Sequence, residues 1–220
     1  MTSQSEKRLA LIGAHLRSED TAVVPAVQTI HVEGLFVSAY SFDARAGIAD
    51  SSLIAEVTKA RGALIQQEIF VAIRYGVSVS DPNETADKIR PHLERWTGLL
   101  TDYRGYVEMT LKIASQENAA RPDRHQFQSG ADYLRELHRT RSAKSLEPEV
   151  SEMLEKNLFP IALQTRWVDR QDAGIELAFL MHRSELEALG EIAQRIKSRF
   201  PKLPFMLSGP WPLEIFANDE

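Results

Sequence analysis

The sequence predicts an α+β protein of two small domains, the second of them ferredoxin-like, and three observations carry that prediction. Short apolar runs of strand length alternate with longer segments whose apolar residues recur every three or four positions. The composition shifts around Asp102 to Gly105, which divides the chain into residues 1–103 and 104–220. The second part then reads strand, helices, strand, strand, helix, strand, the ferredoxin-like order, in which right-handed crossovers place the first and third strands at the sheet centre. At 220 residues, 43% of them hydrophobic, the chain is long enough to bury a sizeable core.

In the first part, Leu9 to Gly13 reads as a buried strand, and Val27 to Phe42 as one or two more with a bend at Gly34. Asp50, Ser51 or Ser52 caps a helix whose apolar positions Leu53, Val57, Leu64 and Ile65 carry it to about Gln67. Ile69 to Arg74 follows as a strand and Gly76 permits the turn after it. Asp81-Pro82-Asn83-Glu84 joins a capping side chain, proline at the first helical position and an acid at the third, a strong helix start. The stripe Ala86, Ile89, Leu93, Trp96, Leu100 and Tyr103 continues that helix, with a kink or break near Arg90 because Pro91 lacks an amide donor.

The second part opens with a strand from Tyr106 to Ala114 and a polar loop from Ser115 to Gln128. A capping-box pattern at Ser129 to Asp132 starts a helix with Tyr133, Leu134 and Leu137 inward, and Pro148 starts another through Val150, Met153, Leu154 and Leu158. Two strands, Ile161 to Asp169 and Ile175 to His182, join at the turn residues Asp172-Ala173-Gly174. Their alternation sets Ile161, Leu163, Thr165 and Trp167 against Ile175, Leu177, Phe179 and Met181. Ser184 caps a helix through Leu189, Ile192 and Ile196, and Leu203 to Leu207 is the last strand. Ser208-Gly209-Pro210-Trp211-Pro212 is expected to stop it, since two prolines remove two donors and fix φ.

Composition narrows the function. There is no cysteine, so disulfides, thiolate metal sites and cysteine nucleophiles are excluded. A formal charge of −5 argues against a nucleic-acid platform. No apolar run reaches the roughly 18 residues of a membrane span, and the start leads into a strand rather than a signal peptide, so the expected compartment is the cytoplasm. The histidines at 15, 31, 92, 125, 138 and 182 form no metal spacing, and His31 with Glu33 supplies too few ligands; no cofactor, phosphate-loop or nucleophile-elbow motif occurs.

Three stretches resemble the gas vesicle F/L protein family. They are Phe70 to Gly76, a strand ending in Arg-aromatic-Gly, Tyr106 to Lys112, a strand opening the second half, and Leu207 to Pro212 with an aromatic soon after. The resemblance implies a two-domain α+β fold and a minor, non-enzymatic structural or accessory role in building gas vesicles, with the small hydrophobic wall protein and other gas vesicle accessory proteins as partners. The chain departs from the family pattern at Tyr75, where phenylalanine is expected, at Val77 to Val79, and at Leu213 to Ile215.

The expected contacts with a partner are Trp211 flanked by Pro210 and Pro212, then Arg74 and Tyr75, with Gly209 and Gly76 setting the backbone. The proline-flanked ring is either a cap on the core or a rigid recognition corner. Glu108 shares a strand face with Tyr106, Thr110 and Lys112, and an Arg74 to Glu108 pair linking the two halves is expected. Two rival readings stay open: a small-molecule-binding or enzymatic α+β domain using the cleft between the halves, and a scaffold that self-associates through sheet edges.

Overall fold

The computed structural model describes residues 7–16, 27–47, 50–113, 124, 127, 129, 132, 148–168 and 175–218. By internal contacts the chain forms two compact units, Met1–Glu108 with Pro210–Glu220, and Met109–Gly209. The boundary expected at 103/104 did not foresee that the last residues return to the first unit.

The first unit is a mixed sheet-and-helix layer built on β1 (Lys7–His15). Its seven residues from Leu9 to His15 are buried on both faces, which is why they read as an unbroken apolar run rather than an alternation. β2 (Val27–Val32) and β3 (Leu35–Asp43) form a hairpin on one side, in the order β2-β3-β1. Its turn residues Glu33 (φ 48) and Gly34 (φ 98) both take positive φ, as a two-residue hairpin turn demands. His31 lends its Nε2 to the amide of Gly34 at 3.2 Å, so this histidine serves the turn.

Helix α1 (Ser51–Gln67) is capped by Asp50, whose carboxylate accepts from the Ser52 amide at 2.8 Å. Its buried face of Leu53, Val57, Ala60, Leu64 and Ile65 packs with Ala10, Ile12 and Phe70 into one core cluster. Where β1 passes beneath Phe70 the residue is Gly13; a Cβ there would stand 2.8 Å from Phe70 Cε2 and from the Val71 carbonyl oxygen. The predicted long helix is broken as Pro91 requires, into α2 (Pro82–Ile89), a 3-10 turn at Arg90–His92 and α3 (Leu93–Asp102). Asp81 caps α2 through the amides of Asn83 and Glu84, at 2.7 and 3.1 Å.

The second unit holds a four-stranded sheet in the order β7-β8-β6-β9, made from β6 (Tyr106–Ile113), β7 (Ala162–Val168), β8 (Ile175–His182) and β9 (Phe205–Trp211). The first and third strands of this series are central, and both are buried along nearly their whole length. Helices α4 (Pro148–Asn157) and α5 (Leu186–Arg199) supply the buried residues Val150, Leu154, Leu189, Ile192 and Ile196. A buried Glu176 on β8 lies 3.8 Å from the Lys112 ammonium on β6.

Several local expectations change. β7, an edge strand, does not alternate between buried and exposed: Leu163 to Trp167 are all exposed. Its register still sets Thr165 against Phe179 and Trp167 against Leu177. The helix after β8 starts through a 3-10 turn capped by the His182 side chain, which accepts from the Ser184 amide, rather than by Ser184 itself. β9 runs through Gly209 (φ 126) and Pro210 to Trp211 instead of ending at Leu207. It is the other edge strand, and on the outward side of an edge a proline forfeits no ladder bond. The expected helix carrying Tyr133, Leu134 and Leu137 and the turn at Asp172 to Gly174 lie outside the described residues. Ser129 and Asp132 show the capping pattern, with the Asp132 amide donating to Ser129 Oγ at 3.1 Å.

Candidate functional site

Most of the residues singled out by sequence fall in the first unit, and its backbone explains why they stand out. On the far side of β1 from the hairpin, two short strands pair in turn: β4 (Val71–Ala72) opposite Ala14 and Gly13, and β5 (Ser78–Val79) opposite Ala10 and Leu9. Only Leu11 and Ile12 separate those partners on β1, whereas Ile73 to Val77 separate β4 from β5. The strand expected from Ile69 to Arg74 is therefore cut short. Ile73 and Val77 keep their bonds to Ile12 and Leu11, at 3.2 and 3.0 Å, and Arg74-Tyr75-Gly76 is extruded between them. The Val77 amide closes the bulge on the Arg74 carbonyl at 3.3 Å, and Gly76 takes φ 91.

The bulge is held from below by α1. The Arg61 guanidinium lies 3.8 Å from the centroid of the Tyr75 ring and donates through Nη2 to the Ile73 carbonyl. Partial burial of that guanidinium pulls its pKa below the usual arginine value, and the neighbouring Tyr75 and Glu214 work against the shift. Thr58 Oγ1 donates to the Ile54 carbonyl at 2.7 Å, so the Tyr75 hydroxyl is the donor in the 3.1 Å bond between the two side chains. Tyr75 is thus fixed at its edge and on one face while staying 46% exposed. Ile54, one helical turn before Thr58, is exposed as well.

The Pro-Trp-Pro corner is fixed by Leu213, the residue directly after it. Leu213 is wholly buried, its amide donating to the Phe70 carbonyl at 2.8 Å and its carbonyl accepting from the Ala72 amide at 3.1 Å. These bonds form a parallel bridge to Val71, so the segment extends the sheet beyond β4. Pro212 is buried beside it, yet Trp211 remains 45% exposed. Because the bridge is parallel, Trp211 lies toward its Ile69 end and Arg74 and Tyr75 toward the other; the bridge does not bring the two groups together.

Glu108 completes the corner in a way the sequence did not show. Instead of pairing with Arg74, its carboxylate accepts from three successive amides, those of Glu214 (3.0 Å), Ile215 (3.0 Å) and Phe216 (3.3 Å). Three converging N–H groups form a cradle for an anion, which no arginine is needed to fill. Arg74 is exposed, and the expected Arg74 to Glu108 pair does not form. Burial pushes the Glu108 carboxyl up to about 7, against the three amides that favour its charged form. Glu108 is buried, its carboxylate taken up by the turn at 214–216.

Trp211, Arg74 and Tyr75, singled out by sequence, are exposed, while the residues that hold them, Arg61, Thr58 and Leu213, were not singled out. Leu213 carried a signal, an apolar residue directly after the second proline; Arg61 and Thr58 carried none, being polar residues on an amphipathic helix. Among the described residues no group of three or more His, Asp or Glu side chains is placed to hold a metal ion, and no helix is long and apolar enough to cross a membrane.

No curated protein matches this chain. Among solved structures it is similar to the crystal structure of the gas vesicle protein GvpF from Anabaena sp. PCC7120, with a TM-score of 0.73 and 14% identity over 97% of each chain. It is similar also to the gas vesicle protein GvpF from Microcystis aeruginosa, with a TM-score of 0.74 and 14% identity over 96% of this chain and 99% of that one. Identities this low speak for the fold alone. The sequence profile described as gas vesicle synthesis protein GvpL/GvpF matches residues 62–217, a stretch that contains the bulge, Glu108 and the corner, and the chain belongs to that family.

Proposed function

We propose that this chain is a non-enzymatic assembly factor of gas vesicles that holds the small hydrophobic wall protein through the Trp211 corner. The supporting observation is the exposure of Trp211 beside a buried proline and a hydrogen-bonded Leu213. An indole held on a backbone that cannot relax loses little freedom on binding, the property of an interface anchor. Membership of a gas vesicle synthesis family supplies the setting. Arg74 and Tyr75 offer a second contact on a pinned bulge, suited to other accessory proteins of the same assembly. A wall subunit is apolar and prone to aggregate, and a chain carrying a net charge of −5 keeps such a complex in solution.

Co-expression with the wall protein from the same cell, followed by affinity capture, tests this reading. Wild type is expected to capture and solubilise the wall protein, and Trp211→Ala, folded by circular dichroism, to lose at least about tenfold of the captured amount, as truncation of an interface anchor does. Failure of the folded wild type to capture it refutes the function. Equal capture by Trp211→Ala refutes the anchor.

A further inference from the structure

The bonds that Glu108 makes are divided unevenly between its two oxygens. Oε2 accepts from the amides of Glu214, Ile215 and Phe216 at 3.0, 3.0 and 3.3 Å, whereas Oε1 has only a 3.2 Å share of the Ile215 amide. A proton on Oε1 therefore leaves the three-amide cradle on Oε2 in place. The charges around the carboxyl do not offset its ionised form. The Glu214 carboxylate on the turn disfavours it, and Arg61 acts on Glu214. Tyr106, Thr110 and Lys112 share its strand face, and Lys112 lies 3.8 Å from Glu176 of β8. β8 also carries His182, exposed and turned to the Ser184 amide, while β9 has no titratable side chain.

The cradle begins at the residue after Leu213, whose bonds to Phe70 and Ala72 set the backbone of the corner. We propose that Glu108 is the positioning residue of the Trp211 corner and makes it a proton-controlled latch, closed on the neutral acid and loosened when the acid ionises. This regulation rests on the reading of Trp211 as the anchor for the wall protein. Opening the turn returns the Glu108 carboxyl to water, where it ionises at its ordinary value. Burial raises its pKa from 4.5 to about 7 in the closed state, so opening becomes easier as pH climbs between those values and changes no further above 7. Acidification from neutral pH thus tightens the corner, and a tighter corner loses less freedom on binding.

Hydrogen exchange of the free full chain, followed at the amides of Glu214, Ile215 and Phe216 and corrected for the intrinsic rate, reads the latch without any partner. Wild-type protection should fall about tenfold for each pH unit from about 5 to 7 and then level off, as release of one proton on opening requires. Glu108→Gln, whose amide oxygen takes the place of Oε2 and does not titrate, should show protection that is flat with pH. A wild-type profile as flat as that of Glu108→Gln, or one that rises with pH, overturns the proposal. Co-expression capture supplies the second arm. Glu108→Ala, folded by circular dichroism, should capture at least about fivefold less wall protein, and Glu108→Gln about as much as wild type. A folded Glu108→Ala that captures as wild type does overturns the positioning role. If Glu108→Ala does not fold, the exchange profiles of wild type and Glu108→Gln decide alone. A wild type that captures nothing refutes the wall-protein reading, whereas the latch is still judged by exchange.

Discussion

Replacing Glu108 with glutamine should flatten the pH dependence of stability, and the structure gives both sign and size. The Glu108 carboxyl is buried, 2% exposed, and its pKa rises from 4.5 to about 7 in the folded protein. A carboxyl with a raised folded pKa binds more protons folded than unfolded between those values, so its contribution weakens as pH rises from 4.5 to 7 and is constant above. At about 1.4 kcal/mol for each pH unit, wild type should lose about 3 kcal/mol relative to Glu108→Gln across that window. Other ionisable groups are common to both proteins and cancel in the comparison. Guanidinium unfolding followed by circular dichroism, at half-unit steps from about pH 4.5 to 8, measures the difference. Two opposed effects set the outcome, burial of the charge and three amide donors that favour it. A difference that does not change with pH would show that the amides balance burial, and a wild type that gains stability toward pH 7 that they outweigh it; either refutes the reasoning.

Two further substitutions test the supports of the site. Gly13→Ala drives a methyl group against the Phe70 ring and the Val71 carbonyl, and should cost about 2–3 kcal/mol in guanidinium unfolding; a loss below about 0.5 kcal/mol would mean that β4 moves aside. Leu213→Ala, at a wholly buried position, should cost about 3 kcal/mol and make Trp211 fluorescence more solvent-exposed; an unshifted emission maximum would show that the corner is held without Leu213.

The regular parts of the fold were legible because their patterns arise from burial on one face. The stripe of α1, the cap at Asp81 and the break at Pro91 depend on residues near in sequence, and each was readable from the chain. Edges were not. Proline signals the end of a central strand, but β9 is outermost and passes through Pro210; β7 has the alternation of a half-buried strand, but its residues from Leu163 to Trp167 are exposed on both faces. The site was half legible for a related reason. Trp211, Arg74 and Tyr75 stand out as bulky or charged residues at rigid backbone points, whereas the partner of Glu108 is a run of backbone amides. Amides are present at every residue other than proline, so no sequence signal marks the ones that will converge.

The return of Leu213 to β4 places a constraint on the order in which the protein can mature. Val71 and Leu213 are about two thirds of the chain apart, and the whole second unit is synthesised between them. While the ribosome is still making that unit, the first one lacks the segment that bridges to β4. Phe70 and Ala72 have no backbone partner there, and Glu108 has no amides to receive it. The Trp211 corner comes into being only once the second unit has been made, so a nascent chain lacks it until synthesis is nearly complete. A premature stop after Gly209 would keep the core of the second unit and remove the corner together with the Leu213 bridge of the first.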